Sequence, residues 1–299
     1  MLITDRRKPI CDVPDIGIGN KPIDGGYYLL NENEKDDLIA REPKSKTYIK
    51  RWYGATEYIN DIKRYCLWLS DAEPQDVRAM PHVTKIVDQV RRYRLAEINA
   101  KNGRKPKGGK SSKDLADTPM KFHVSNLPKS DYLLIPRHSS ELRQYIPMGF
   151  MSPDDLSGDA NLICDSASKY HLGIMQSAMH MAWVNTVCGR IKSDYRYSKK
   201  IVYNNFPWPI KITKKDREKI ESATENVLSA RSIFPKATLA DLYDPLSMPS
   251  ELVKAHKALD RVVDAAYVAS GGKGKWSTEA ERVAFLFDLH NKILSTLDS

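Results

Sequence analysis

GRIKSDYRYSKKIVYNNFPWP, Gly189 to Pro209, sets five cations (Arg190, Lys192, Arg196, Lys199 and Lys200) and three tyrosines against a single acid, Asp194. The stretch also marks a change of architecture. Strands and helices mix before it, and helical patterns alone follow it. Its composition suits a surface that grips a polyanion, with Lys and Arg on phosphates and rings against sugar and base. A solvated basic loop would have the same composition.

Immediately upstream, Leu172, Met175, Met179, Ala182 and Thr186 form one stripe of a helix expected from about Ser168 to Cys188, with Gly189 as its C-terminal stop. The basic stretch is therefore expected to be a loop held by a rigid element. Further back, DYLLIPR, YIPMGFM and NLICD read as strands, as do Tyr48 to Tyr53 and Tyr65 to Leu69. Val83, Ile86, Val87, Val90 and Tyr93 recur at helical spacing, with Arg91, Arg92 and Arg94 on a basic flank. Asn102 to Lys113, NGRKPKGGKSSK, has no apolar residue and reads as a mobile basic loop, either a clamp over phosphates or a solvated connection.

Downstream, Thr213 with Asp216 resembles a capping box, and Ile220, Ala223 and Val227 continue a helix. Leu252, Leu259, Val262 and Ala266 mark a second, and Leu286, Leu289, Ile293 and Leu297 a third, opened by Ser277 or Thr278. Three amphipathic helices make a small bundle. The fold class expected is α+β, with a mixed strand and helix domain over 1–210 and a helical domain over 211–299.

The 299 residues carry a formal charge of +9. Residues 211–299 hold 14 Lys and Arg against 13 Asp and Glu, so the remaining 33 against 25 put +8 of the excess in residues 1–210. An acidic partner is implied, but not its identity. Cys11, Cys66, Cys164 and Cys188 lie far apart with no CxxC, which argues against both a disulfide framework and a zinc site. A reduced, cytoplasmic setting is expected. No apolar run approaches the ~20 residues of a membrane span, and MLITDRRKPI lacks the apolar core of a signal peptide.

Several catalytic patterns fail on inspection. GRKPKGGKSS lacks the glycine spacing of a phosphate-binding GxxxxGK[ST], and Gly17 to Asn20 opens no apolar helix. The seven histidines show neither HExxH nor a triad-like grouping, and His180 reads as a core or boundary residue. No catalytic residue is assigned.

Five motifs occur in order: GNKPIDGG (Gly19 to Gly26), RYCLWL (Arg64 to Leu69), IPRHSSELRQYIPMGF (Ile135 to Phe150), CGRIKSDYRYSKKIVYNNFPWP (Cys188 to Pro209) and LYDPLSMPSELVKAHKALDRVVDAAY (Leu242 to Tyr267). Together they resemble the C-terminal portion of the type IIL, MmeI-like family of restriction-modification enzymes. The resemblance implies a target recognition domain followed by a C-terminal helical domain. Full-length members add a nuclease, a helical spacer and an S-adenosylmethionine-dependent N6-adenine methyltransferase. No glycine-rich cofactor loop or Asn/Asp-Pro-Pro-Tyr/Phe motif is visible, so no cofactor is expected in this chain, and YNNFPWP has the wrong order. The chain is expected to be a cut piece of a longer protein or the product of a truncated gene.

The same resemblance implies residue roles. Lys192 and Asp194 match a pair that reads one base pair; Lys donates to guanine O6 and N7 while Asp accepts from cytosine N4, which specifies G. Arg137 and Asp159 match a second such pair, again consistent with G. Ala160 and Arg196 match positions reading a purine. The 3′ half of the site is thus expected to be G, purine, A, G, with that adenine as methyl acceptor. Arg190, Lys199 and Lys200 are expected on phosphates, and Lys21 either meets a phosphate or sits in a purely structural turn. Tyr195, Tyr197 and Tyr203 either bond backbone oxygens or pack beneath the loop. The partners implied are double-stranded DNA and the methyltransferase domain of the parent chain. A non-specific nucleic-acid binder and a protein scaffold remain as other readings of the basic surface.

Overall fold

The computed structural model describes residues 3–297, the side chain of residue 111 apart. The chain folds as two compact units: one gathers residues 3–17, 131–151 and 161–297, the other 18–130 and 152–160.

The smaller unit is built on a short sheet. Ile49–Tyr53 pairs antiparallel with Tyr65–Leu67 and parallel with Leu156–Ser157. The helix Pro81–Arg94 buries Val83 and Val90. Arg94, which its sequence position suggests is a solvated flank, is instead fully buried. Its five N–H donors reach five carbonyls: Nε to Ile23 (3.0 Å), one terminal nitrogen to Leu115 (2.8 Å) and Thr118 (3.1 Å), the other to Pro22 and Lys121 (both 2.8 Å). That fan fixes the GNKPIDGG turn. Asp24 tightens it by accepting from the amides of Gly26 (3.0 Å) and Tyr28 (2.8 Å). Gly25, at φ +66, lies on the Tyr93 ring so closely that an added Cβ would be 2.8 Å away.

In the larger unit Tyr132–Pro136 is flanked antiparallel by Gly149–Met151 and Asn161–Cys164. All five residues of the central strand are buried, as expected of a strand covered on both faces. The helix expected over 168–188 is two helices, Lys169–Met175 and Ala178–Val187. The break has a local cause. Ser177 turns its hydroxyl onto the amide of His180 and N-caps the second helix, a competition with the helical ladder that the apolar stripe does not register. Gly189 is no left-handed stop either; the helix leaves through Cys188 at φ −70, ψ 130, already extended, and Gly189 begins a strand.

The downstream helices are Lys214–Ser232, Ser250–Ala266 and Glu279–Leu297, with a short Leu239–Leu242 turn. They form a bundle that takes in both upstream helices: Lys214–Ser232 packs on Lys169–Met175 as well as on Ser250–Ala266, and Glu279–Leu297 packs on Ala178–Val187. Arg231 ties the joint by donating to Met148 O (2.6 Å) and Gln176 Oε1 (2.7 Å) and bonding the Tyr243 hydroxyl. The architecture is α+β, as the sequence indicates. Among the described residues no helix is long and apolar enough to cross a membrane.

Candidate nucleic-acid interface

The basic stretch is an ordered β-hairpin. Gly189–Ile191 pairs with Asp194–Arg196, which pairs in turn with His138–Ser139, giving three antiparallel strands. Strand periodicity then sorts the side chains. Tyr195 faces inward, almost fully buried, while Asp194 and Arg196 on either side are exposed. Arg190, opposite Tyr195, lays its guanidinium 4.6 Å from that ring, bonds Ser193 O at 2.8 Å and pairs with Glu141 at 3.1 Å.

Lys192 occupies the first position of the two-residue turn with φ +56. Primed hairpin turns usually place Gly, Asn or Asp at such a position, and a lysine held there costs roughly 1 kcal/mol. A strained non-glycine at an exposed tip points to a use for its side chain. Among the described residues no ion pair joins Lys192 to Asp194, so the two groups are not spent on each other. Asp194 accepts a long bond, 3.4 Å, from the Glu141 amide.

The hairpin is rooted by its tyrosines. Tyr195, Tyr197 and Tyr203 are all buried and pack beneath the loop, and Tyr203 also donates to the main-chain oxygen of Pro14 at 2.5 Å. Tyr195 donates to Asn185 Oδ1 at 2.5 Å, and Tyr197 Oη lies 2.9 Å from His180 Nε2 while its amide bonds Arg137 O at 2.8 Å. Arg137 is thereby fixed next to the strand Asp194–Arg196. Desolvation depresses the His180 pKa to about 3 and that of His171 to about 4. Such groups add stability that is complete above the unfolded value near 6.5 and is lost as pH falls toward the folded value. Asp260 opposes them: burial raises its pKa to about 6, so its contribution is present below about 4 and lost as pH rises to 6. Urea midpoints taken at pH 7.5 and 5.0 should show an acid loss that is about 2 kcal/mol smaller in His180→Gln. An equal loss in both proteins would refute the anchor's titration.

Beyond the hairpin, Lys199–Tyr203 forms a π-helical turn. Lys199 pairs with Asp15 at 2.8 Å and Lys200 with Asp5 at 3.4 Å, so a phosphate would share or displace these carboxylates. Asn204 and Asn205, in the motif YNNFPWP, are buried and donate to main-chain carbonyls of Arg6 (2.8 Å) and Thr4 (3.0 Å), a structural clasp on the N-terminal segment.

Asp159, Ala160 and Lys21 belong to the smaller unit, each half-buried. Their placement rests on close backbone passage: a Cβ on Gly19 would lie 2.3 Å from Gly158 O, and one on Gly158 would meet Trp52 at 2.4 Å. Asn20 completes the joint, donating to Ser157 O (3.0 Å) and Asn126 O (3.1 Å). Lys21 exchanges main-chain bonds with Val124, leaving its side chain independent of the turn.

Sequence reasoning missed His138. It stands opposite Arg196 in the register, on the exposed face that carries Asp194. Desolvation first, then Arg137 and Arg196, lower its pKa, while Asp194 works the other way. The available signal was its adjacency to Arg137 in a strand-forming segment. Among the described residues no group of three or more His, Cys, Asp or Glu could hold a metal ion.

Three features now stand together: an exposed β-ribbon, a Lys and an Asp near its tip that do not pair with each other, and a buried aromatic root. Comparison with known proteins identifies the setting. Residues 1–210 match the family model described as the target recognition domain of MmeI, and residues 212–298 match that of its C-terminal domain. A solved structure of the type IIL restriction-modification enzyme MmeI in complex with DNA superposes with a TM-score of 0.91 at 41% identity, covering 99% of this chain and 37% of that one. DNA methyltransferase A of Bacillus subtilis (strain 168) is 36% identical over 293 residues, 98% of this chain but 32% of the relative. The chain belongs to the MmeI family, carrying the part that holds its target recognition and C-terminal domains.

Proposed function

We propose that this chain is the sequence-reading part of a restriction-modification DNA adenine-N6 methyltransferase acting in the cytoplasm, with residues 1–210 as the recognition domain. The observation that carries the reading is the hairpin, whose tip presents Lys192 and Asp194 unpaired to each other. A two-stranded ribbon fits the major groove, where a Lys and an Asp together distinguish G·C from C·G. Arg137 with Asp159 reads a second G, and Ala160 with Arg196 accepts a purine between them. Arg190, Lys199, Lys200 and Lys21 hold phosphates and set the register without selecting sequence. In this reading S-adenosylmethionine belongs to the methyltransferase part of the larger protein, and the residues of this chain position the duplex. A relative solved with DNA supports the partner.

Competition binding at a fixed 0.1 M salt tests the reading. A duplex containing G-purine-A-G should displace labelled probe at least ten-fold better than duplexes scrambled at those positions, a margin beyond the common electrostatic contribution. Equal displacement would mean that the basic surface recognises charge alone.

A further inference from the structure

The smaller unit contains a cleft of about 620 Å³ between the GNKPIDGG turn and the segment around residues 106–110. Lys21, Lys107 and Lys110 line it, together with Asp159, Trp52 and Tyr93. We propose that this cleft is a DNA backbone site, taking phosphates of the strand beside Asp159; the inference rests on the DNA-reading function above.

The walls discriminate between the parts of a nucleic acid. Trp52 is buried, with Gly158 against its ring, and Tyr93 has Gly25 packed on its face. The Trp52 ring is not free to stack on an extruded base and Tyr93 has one face already covered, where a base site calls for open stacking surfaces. What remains available is cationic. Lys107 and Lys110 are exposed, and Lys21 is held by main-chain bonds that leave its ammonium free to swing. Of the two acids that line the cleft, Asp24 has its carboxylate turned onto the Gly26 and Tyr28 amides, and burial raises its pKa.

The two sides of the cleft are built differently. The Lys21 side is immobilised by the Arg94 fan. Opposite it, Gly108 and Gly109 have φ of +61 and +155, and a Cβ on either would meet nothing within 4 Å. A phosphate chain can therefore approach that main chain closely. Sequence reading alone left this segment open between a clamp and a solvated connection; the cleft gives it a facing wall and a charge.

Lysines on phosphates release counterions, so the test is the salt dependence of duplex affinity. With a labelled duplex titrated at several salt concentrations, Lys107→Ala with Lys110→Ala should lower the slope of log affinity against log salt by about two and weaken all sequences alike. Lys254→Ala, an exposed helical cation of the other unit, should leave the slope unchanged. Both altered lysines are exposed, and circular dichroism of the variant checks its fold. An unchanged slope, or a loss confined to one sequence, would overturn the inference while leaving the recognition reading intact. Failure of the unaltered chain to bind any duplex would remove both.

Discussion

Arg94→Met unfolds the smaller unit under conditions in which the unaltered chain is stable. The side chain is fully buried, and all five of its donors are committed to carbonyls from three separate stretches: Pro22 and Ile23, Leu115 and Thr118, and Lys121. Methionine preserves the stem but strands five acceptors and deprives the buried Asp24 of the cation whose field lowers its pKa. Removing one member of a buried charged network costs about 3–5 kcal/mol, and the orphaned carbonyls place this case at the upper end. Lysine would rescue only part of the loss, since it has three donors in place of five. Urea unfolding followed by fluorescence of Trp52 and Trp68 reads the effect directly. A midpoint within ~0.5 kcal/mol of the parent, the range of ordinary surface substitutions, would show that the fan does not stabilise the unit.

The second large effect is on specificity. Exchanging the tip charges, Lys192→Glu with Asp194→Arg, should turn a preference for G into one for C at a single base pair. A good bidentate pairing is worth roughly 1–3 kcal/mol against the wrong base. Inverting both partners penalises the old base as well as rewarding the new one, so the ratio should swing by about 100-fold or more. Both side chains are exposed, and Tyr195 and Tyr197 keep the hairpin in place. Stability should change little. Selection from a duplex pool randomised at that pair is the measurement. An unaltered preference would remove Lys192 and Asp194 from the reading set.

Much of this was legible before any coordinates. Periodicity located the strands at Ile49–Tyr53, Tyr65–Leu67 and Tyr132–Pro136 and the helices at Pro81–Arg94, Lys214–Ser232 and Ser250–Ala266. The exposed tip residues followed from composition and family likeness. What stayed hidden were tertiary choices that leave no periodic trace. Arg94 reads as solvated because Arg usually is, and only five converging carbonyls make its burial tolerable. The split at Ser177 arises from one hydroxyl outcompeting a helical ladder. The basic stretch reads as a loop because its inward tyrosines, at alternate positions, are outnumbered by cations. His138 becomes visible only when a distant strand pairs with it.

That alternation separates what holds the hairpin from what it presents. Residues that hold the ribbon and residues that face outward occupy different parities of one short strand, with Tyr195 and Tyr197 inward and Asp194 and Arg196 outward. Under the proposed reading, codon changes at the outward parity would alter the target while leaving the fold untouched, so one chain could pass to a new target without misfolded intermediates.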